Sequence, residues 1–200
     1  MTRLAWAALF GLAIGCGSNP TGPANEAPID FTFADPVGDT VVATTNPGQV
    51  PGLDLVSVNG TLTRDELKLT LEFGSEITRW TDGLPNGLDG FVYFDVDEDT
   101  GTGFQDQARD LGVDFYLDLR DNGFGKVAVV EQAKRRFVLV SAKFEGTQFS
   151  VTIPRSAITL ATDLKTDLLF GVDVSARGRK PIVDQAPDSG SVAIRPPATP

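Results

Sequence analysis

Three aspartates, Asp95, Asp97 and Asp99, recur at every second position of the segment FDVDEDTG. Side chains alternate between the two sides of an extended chain, so these three carboxylates leave the backbone on one side. Carboxylates that converge in a small volume repel one another strongly unless a cation lies between them. Because the candidate ligand atoms are all oxygen, we expect a hard divalent cation here, namely Ca²⁺.

This spacing resembles the first half of an EF-hand loop, and Asp106 falls at the twelfth position, where that loop carries a bidentate acid. However, Thr100 stands where an EF-hand requires glycine, and the preceding residues alternate as a strand does. We therefore predict a calcium loop on a β scaffold. Its expected ligands are four carboxylates and a turn carbonyl: Asp95, Asp97, Asp99, Gly101 and Asp106. The alternative is a solvated acidic turn capped by Asp99 and Thr100.

Further aspartates lie towards both ends of the chain. Asp35, Asp39 and Asp54 are candidates for a second oxygen-rich site, although turns and strand edges also favour aspartate at such places. Asp184 and Asp188 are candidates to close the first site from the far end of the chain.

The composition excludes several functional classes. The 200 residues include 27 acidic and 17 basic side chains, so the net charge of −10 disfavours a nucleic-acid partner. The absence of histidine removes the usual general base, the Ser-His triad and histidine-ligated zinc. No glycine-rich loop opens a helix, so nucleotide binding has no support. We predict that the protein is not an enzyme, and a carboxylate-based hydrolase is the remaining catalytic alternative.

The first sixteen residues, MTRLAWAALFGLAIGC, read as an export signal. The apolar run is too short to span a bilayer but fits a secretory signal. The tetrad Ala-Ile-Gly-Cys before Gly17 resembles a bacterial lipobox, which implies that Cys16 is lipidated and anchors the mature chain to a membrane. Without an aspartate after Cys16, the resemblance implies the outer membrane if the host is diderm. Cleavage after Gly15 without lipidation is the alternative.

Composition predicts four regions: a signal peptide at 1–15, a flexible tether at 16–28, a β domain at 29–195 and a disordered tail at 196–200. Within the β domain, the segment 67–73 alternates most clearly, with leucine or phenylalanine at each odd position. Strands are also expected at 29–34, 54–62, 91–96, 113–119, 127–130, 137–144, from 149 onward, at 168–174 and at 191–194. Nine or ten such strands predict an all-β, antiparallel β-sandwich, with an up-and-down barrel as the alternative.

Several segments occur in a familiar order: DPVGDT, LDLVSV, ELKLTLEF, GFVYFDVDEDTGTG, GVDFYLDL, FSVTIPRSAI and DQAPDSG. Over residues 33 to 190 this order resembles exported bacterial modules related to carbohydrate-binding module family 9 and to DOMON-like domains. The resemblance implies a jelly-roll-like sandwich, structural calcium and, in some members, sugar or haem binding. Haem is excluded here, because histidine is absent and Met1 is the single methionine.

Sugar-binding modules commonly hold a sugar ring against exposed aromatic side chains. Trp80, in the loop-like segment 75–89, is the expected contact, and the alternative is a lid over one end of the core. Tyr116 shares its side of a strand with Asp114 and Asp118, which we interpret as an ordinary solvated face.

We therefore predict a lipid-anchored, calcium-stabilised extracytoplasmic module that binds carbohydrate. The alternative is a structural or envelope-assembly lipoprotein that contacts other proteins and binds no small ligand.

Overall fold

The computed structural model describes residues 27–40, 53–84, 86–107, 109–158, 168–176 and 184–195. The predicted signal peptide, Cys16 and the tail at 196–200 lie outside these residues, as does all but the end of the tether. Among the residues described, no helix has the length and apolar character needed to cross a membrane.

The regular secondary structure of the described residues is almost entirely β, which confirms the predicted fold class. The part of the chain that the structure describes contains thirteen strands: β1 (Ile29–Ala34), β2 (Leu55–Leu62), β3 (Glu66–Phe73), β4 (Leu88–Asp95), β5 (Phe104–Asp106), β6 (Leu111–Val113), β7 (Phe115–Asp118), β8 (Lys126–Glu131), β9 (Arg136–Glu145), β10 (Gln148–Pro154), β11 (Leu168–Ala176), β12 (Asp184–Ala186) and β13 (Val192–Ile194). Two 3-10 helices occupy Trp80–Asp82 and Arg155–Ala157. The count exceeds the predicted nine or ten because β5 and β12 were missed and the strand predicted at 113–119 is divided at Asp114.

One large sheet has the strand order β1-β2-β3-β10-β9-β8-β7-β4-β11-β12, with β13 also paired to β11. Every pairing between these strands is antiparallel. The long strand β9 joins two halves of this sheet. Its residues 142–145 pair with β10, in the half formed by β1, β2, β3 and β10, and its residues 136–141 pair with β8, in the half formed by β8, β7, β4, β11 and β12. The short strands β5 and β6 form a separate hairpin.

The core lies between the two halves of the sheet. In β3 the apolar residues at 67, 69, 71 and 73 are buried, as the alternation predicts, while Lys68 is exposed. The other half contributes Val92, Leu117 and Val129 to the same cluster. Fully burying each such side chain stabilises the fold by about 1.5–3 kcal/mol, so this alternation is the main determinant of the sandwich.

Candidate metal centre and aromatic groove

Three carboxylates converge where β4 ends and β7 begins. Phe94 pairs with Phe115 across these antiparallel strands, which places Asp95 opposite Asp114. Asp97 follows two residues after the end of β4. One carboxylate oxygen from each of Asp95, Asp97 and Asp114 lies within 4.8 Å of the other two. We call these three residues the loop cluster.

Asp95 is the buried member of the loop cluster, with 0% of its surface exposed. Its Oδ2 accepts a hydrogen bond of 3.0 Å from the Gly112 amide. Its Oδ1 is inaccessible to solvent and accepts no hydrogen bond from the described residues. Burial raises the pKa of Asp95, and hydrogen bonds from the backbone amides of Gly112, Glu98 and Asp97 oppose this rise. A buried carboxylate oxygen without a donor is costly, so this position calls for a proton or a cation.

Neighbouring donors satisfy the cluster only in part. Asp114 Oδ2 accepts from the Val96 amide at 3.1 Å. The Thr102 hydroxyl lies 3.1 Å from Asp97 Oδ1 and 3.5 Å from Asp114 Oδ1, but a hydroxyl carries one proton and can serve only one acceptor at a time. Burial raises the pKa of Asp114, and the charges of Asp97 and Asp95 add to the rise. An all-oxygen, anionic donor set of this kind fits Ca²⁺.

The predicted ligands divide into two groups. Asp95 and Asp97 belong to the loop cluster, and Asp114 is an addition that the sequence analysis assigned to a solvated face. Asp99 lies outside the cluster, where its Oδ1 accepts from the amide of Gly101 at 2.9 Å in an exposed turn. Asp106 also lies outside it and forms a short ion pair with Arg109.

Arg109 is a buried residue that sequence reasoning missed, with 4% of its surface exposed. Its guanidinium lies 5.6 Å from the centre of the Tyr93 ring, and it pairs with Asp106 at the end of β5. Its side chain crosses β11 at Gly171, where a Cβ atom would approach the Arg109 Cδ to 2.4 Å. Arg109 therefore fastens the β5–β6 hairpin onto the large sheet, and the glycine provides the space for it.

An aromatic groove of about 230 Å³ adjoins the loop cluster. Its lining residues are Phe91, Tyr93, Phe104, Tyr116 and Gln132. The rings of Phe91 and Tyr93 are stacked with centroids 6.0 Å apart, and Phe91 meets Tyr116 edge-on at 5.4 Å. Phe104, on β5, is 59% exposed and forms a wall.

Charged side chains border this groove on the side of Phe91. The Arg120 guanidinium lies 5.9 Å from the centre of the Phe91 ring and pairs with Asp118 at 2.6 Å. Hydrogen bonding to Asp118 raises the pKa of Arg120. An aromatic floor with a polar rim is suited to ligands that present both an apolar face and hydroxyl groups.

Trp80 lies apart from the aromatic groove. It begins the 3-10 helix Trp80–Asp82 and is half-buried, and it is not among the residues that line the groove. The next residue, Thr81, donates a hydrogen bond of 2.8 Å to Asp121 and so ties this helix to the turn before β8. The sequence signal for the groove was the pair of aromatic residues two positions apart on β4, Phe91 and Tyr93, together with Tyr116 on β7.

Asp184 does not belong to the loop cluster, where we expected it, but to a second group of aspartates. One of its carboxylate oxygens lies within 4.8 Å of oxygens of Asp35 and Asp39. We call Asp35, Asp39 and Asp184 the edge cluster. Two members of the second site suggested by the sequence, Asp35 and Asp39, are therefore brought together. Asp54 lies beside them, with its Oδ1 accepting from the Gly38 amide at 2.9 Å.

No protein-family model matches this chain, and no curated protein matches it in sequence. The resemblance to carbohydrate-binding and DOMON-like modules therefore stays a prediction.

Proposed function

We propose that the chain is a calcium-stabilised β-sandwich that binds carbohydrate in the aromatic groove. The observation that supports this most is a shared face. Phe91, Tyr93 and Asp95 follow one another at every second position of β4, so their side chains leave the same side of the strand. Asp114 and Tyr116 lie directly across on the neighbouring chain segment. The cation site and the groove are thus consecutive parts of one surface.

Calcium stabilises a wall of the groove in this proposal. Asp95, Asp97 and Asp114 hold the ion, which removes the repulsion between their carboxylates. The loop that supplies Asp97 continues into β5, which carries Phe104. Without the ion the loop loosens and Phe104 loses its fixed position. Carbohydrate binding therefore depends on calcium although the sugar does not touch the ion.

The groove suits sugar chemistry. Aromatic rings such as Tyr93 and Tyr116 stack on the apolar C–H face of a sugar, while their hydroxyl groups and Gln132 offer hydrogen bonds. The volume of about 230 Å³ is below the roughly 300–1,000 Å³ of drug-sized sites, which favours a short stretch of sugar units.

The proposed location follows from the predicted signal and Cys16. Lipidation of Cys16 places the module on the outer side of a membrane, with the tether at 16–28 between the lipid and the domain. Extracellular calcium modules need dissociation constants of only roughly 0.1–1 mM. The partners proposed are the membrane, through the lipid, and a glycan.

A glycan array probed with the chain lacking residues 1–15, in calcium and in EDTA, tests the proposal. We expect binding in calcium and loss of binding in EDTA. With a glycan found this way, Tyr116→Ala should weaken affinity about tenfold, equivalent to about 1.4 kcal/mol. Phe124→Ala, which removes a fully exposed aromatic ring that does not line the groove, is the matched control and should bind as wild type does.

Other outcomes would favour a different function or a different contact residue. An array without binding contradicts the proposal and favours the lipoprotein that contacts other proteins. Loss of binding in Trp80→Ala but not in Tyr116→Ala would move the contact to the 3-10 helix. Cleavage of chromogenic glycosides, abolished by Asp97→Asn, would favour a carboxylate-based hydrolase.

A further inference from the structure

We propose that the edge cluster is a second calcium site, independent of the first and of the carbohydrate groove. Asp35 directly follows β1, Asp39 lies four residues later, and Asp184 is the first residue of β12. One carboxylate oxygen from each lies within 4.8 Å of the others. Two separate parts of the chain, the segment after β1 and the start of β12, thus bring anionic oxygens to a single point.

The burial of these oxygens is the observation that points to an ion. Asp35 is 5% exposed, and its Oδ2 is inaccessible and accepts no hydrogen bond from the described residues. Both carboxylate oxygens of Asp39 are likewise inaccessible and without a hydrogen-bond donor. An acidic turn exposed to water would have its oxygens solvated, whereas these are withdrawn from water.

The remaining acids of this region are held in place by backbone amides. Asp184 Oδ2 accepts from the Leu55 amide at 2.6 Å, and its Oδ1 accepts from the Gln185 amide at 2.9 Å. The Gly38 amide donates to Asp54, which fixes the turn that carries Asp39. These contacts orient Asp184 and Asp54 but leave Oδ2 of Asp35 and both carboxylate oxygens of Asp39 available to a ligand.

The electrostatics of the edge cluster agree with this geometry. Burial, followed by the charges of Asp184 and Asp39, raises the pKa of Asp35 to about 7. Burial raises the pKa of Asp184 to about 6, against the hydrogen bonds from Leu55 and Gln185. The charges of Asp188 and Asp54 also act on Asp35 in the same direction. The local excess of negative charge is what a divalent cation neutralises.

The ligand chemistry selects calcium. The donors are carboxylates, whereas zinc prefers nitrogen or sulfur ligands and this sequence has no histidine. Magnesium requires near-ideal octahedral geometry and retains several waters, which suits a dry, acid-rich pocket less well than the flexible coordination of calcium.

Position in the fold gives the site a structural role. The strand order of the large sheet begins with β1 and ends with β12. An ion between Asp35 and Asp184 therefore links the two edges of that sheet, beside the point where Asp184 already bonds to Leu55 of β2. Calcium at the edge cluster closes the sandwich.

The test measures calcium stoichiometry by equilibrium dialysis of the decalcified chain lacking residues 1–15 against calcium chloride. We expect two ions bound by the wild type, one by Asp35→Asn, one by Asp95→Asn and none by the double variant. Asp65→Asn, which changes an exposed aspartate outside both clusters, should still bind two. Asparagine keeps the shape of aspartate and removes its charge, so the comparison isolates the ionic role.

Thermal unfolding in EDTA distinguishes the loss of a calcium ligand from a general destabilisation of the variant. Asp35→Asn relieves repulsion in the calcium-free protein, so its unfolding midpoint in EDTA should lie above that of the wild type. A structural role alone would lower that midpoint and would overturn the proposal. Two ions in Asp35→Asn, or a single wild-type ion that Asp95→Asn removes, would also overturn it. One wild-type ion that Asp35→Asn removes and Asp95→Asn retains would instead contradict the calcium part of the proposed function.

Discussion

The loop cluster and the edge cluster use the same side chain in two different ways. Asp95, Asp97 and Asp114 lie within twenty residues of one another and gather around one hairpin. Asp35 and Asp184 come from opposite ends of the strand order. In our proposals, an ion at the first position would order a loop and the wall of a groove, whereas an ion at the second would hold the edges of the sheet together. Calcium would therefore constrain a single loop at the loop cluster and the whole sheet at the edge cluster.

Calcium removal should produce the largest effect, because it removes both constraints together. At 10 mM calcium, a dissociation constant of roughly 0.1–1 mM stabilises the folded state by about 1.4–2.7 kcal/mol per site. For two sites in a domain of this size, we expect EDTA to lower the unfolding midpoint by about 10 °C. Differential scanning calorimetry measures this shift. A wild-type unfolding midpoint that EDTA leaves unchanged would contradict both proposed calcium sites.

The pH dependence of the calcium-free protein should distinguish the clusters next. Near pH 4 and above, the unfolded chain loses the Asp35 proton, because the ordinary value is 3.8, whereas the folded protein keeps it up to about pH 7. The unfolded state then binds fewer protons, so the free energy of unfolding falls as pH rises through this window. We expect a fall on the order of 1–3 kcal/mol, measured by urea denaturation in EDTA.

Two comparisons sharpen this pH prediction. Asp35→Asn removes the most strongly shifted carboxyl group of the edge cluster and should flatten the profile. Saturating calcium should flatten it too, because the ion competes with the proton for the same oxygens. A calcium-free wild type whose stability rises between pH 4 and pH 7 would contradict the burial of these groups.

The sandwich was predictable because its signal is local. In β3 and β10 the apolar residues occupy every second position, and that period alone identifies the strands and their buried face. The strand β5 has only three residues, of which Phe104 and Gln105 are exposed, so it offers no alternation to detect. Likewise, β12 is three residues long and is a strand because it pairs with β11.

In each candidate site, only the residues that lie close together in the sequence were predictable as a group. Asp95 and Asp97 follow from the period of an extended chain, whereas Asp114 becomes their neighbour only through the register between β4 and β7. Asp184 meets Asp35 only because the sheet brings its two edges together, which no spacing in the sequence encodes. The groove depends on the same cross-strand register, which brings Tyr116 opposite Tyr93, whereas the predicted contact Trp80 lies apart from it.

Asp99→Asn carries the smallest expected effect and distinguishes the ligand set predicted from the sequence from the loop cluster proposed as the calcium site. Asparagine can still accept the hydrogen bond from the Gly101 amide, so the turn should keep its shape. If Asp95, Asp97 and Asp114 hold the ion, calcium affinity in isothermal titration should change by less than about 0.5 kcal/mol. If Asp99 is itself a ligand, the lost charge should weaken calcium binding about tenfold or more. That result would extend the loop cluster towards the EF-hand-like spacing, and it would leave the edge cluster unaffected because the two sites share no residue.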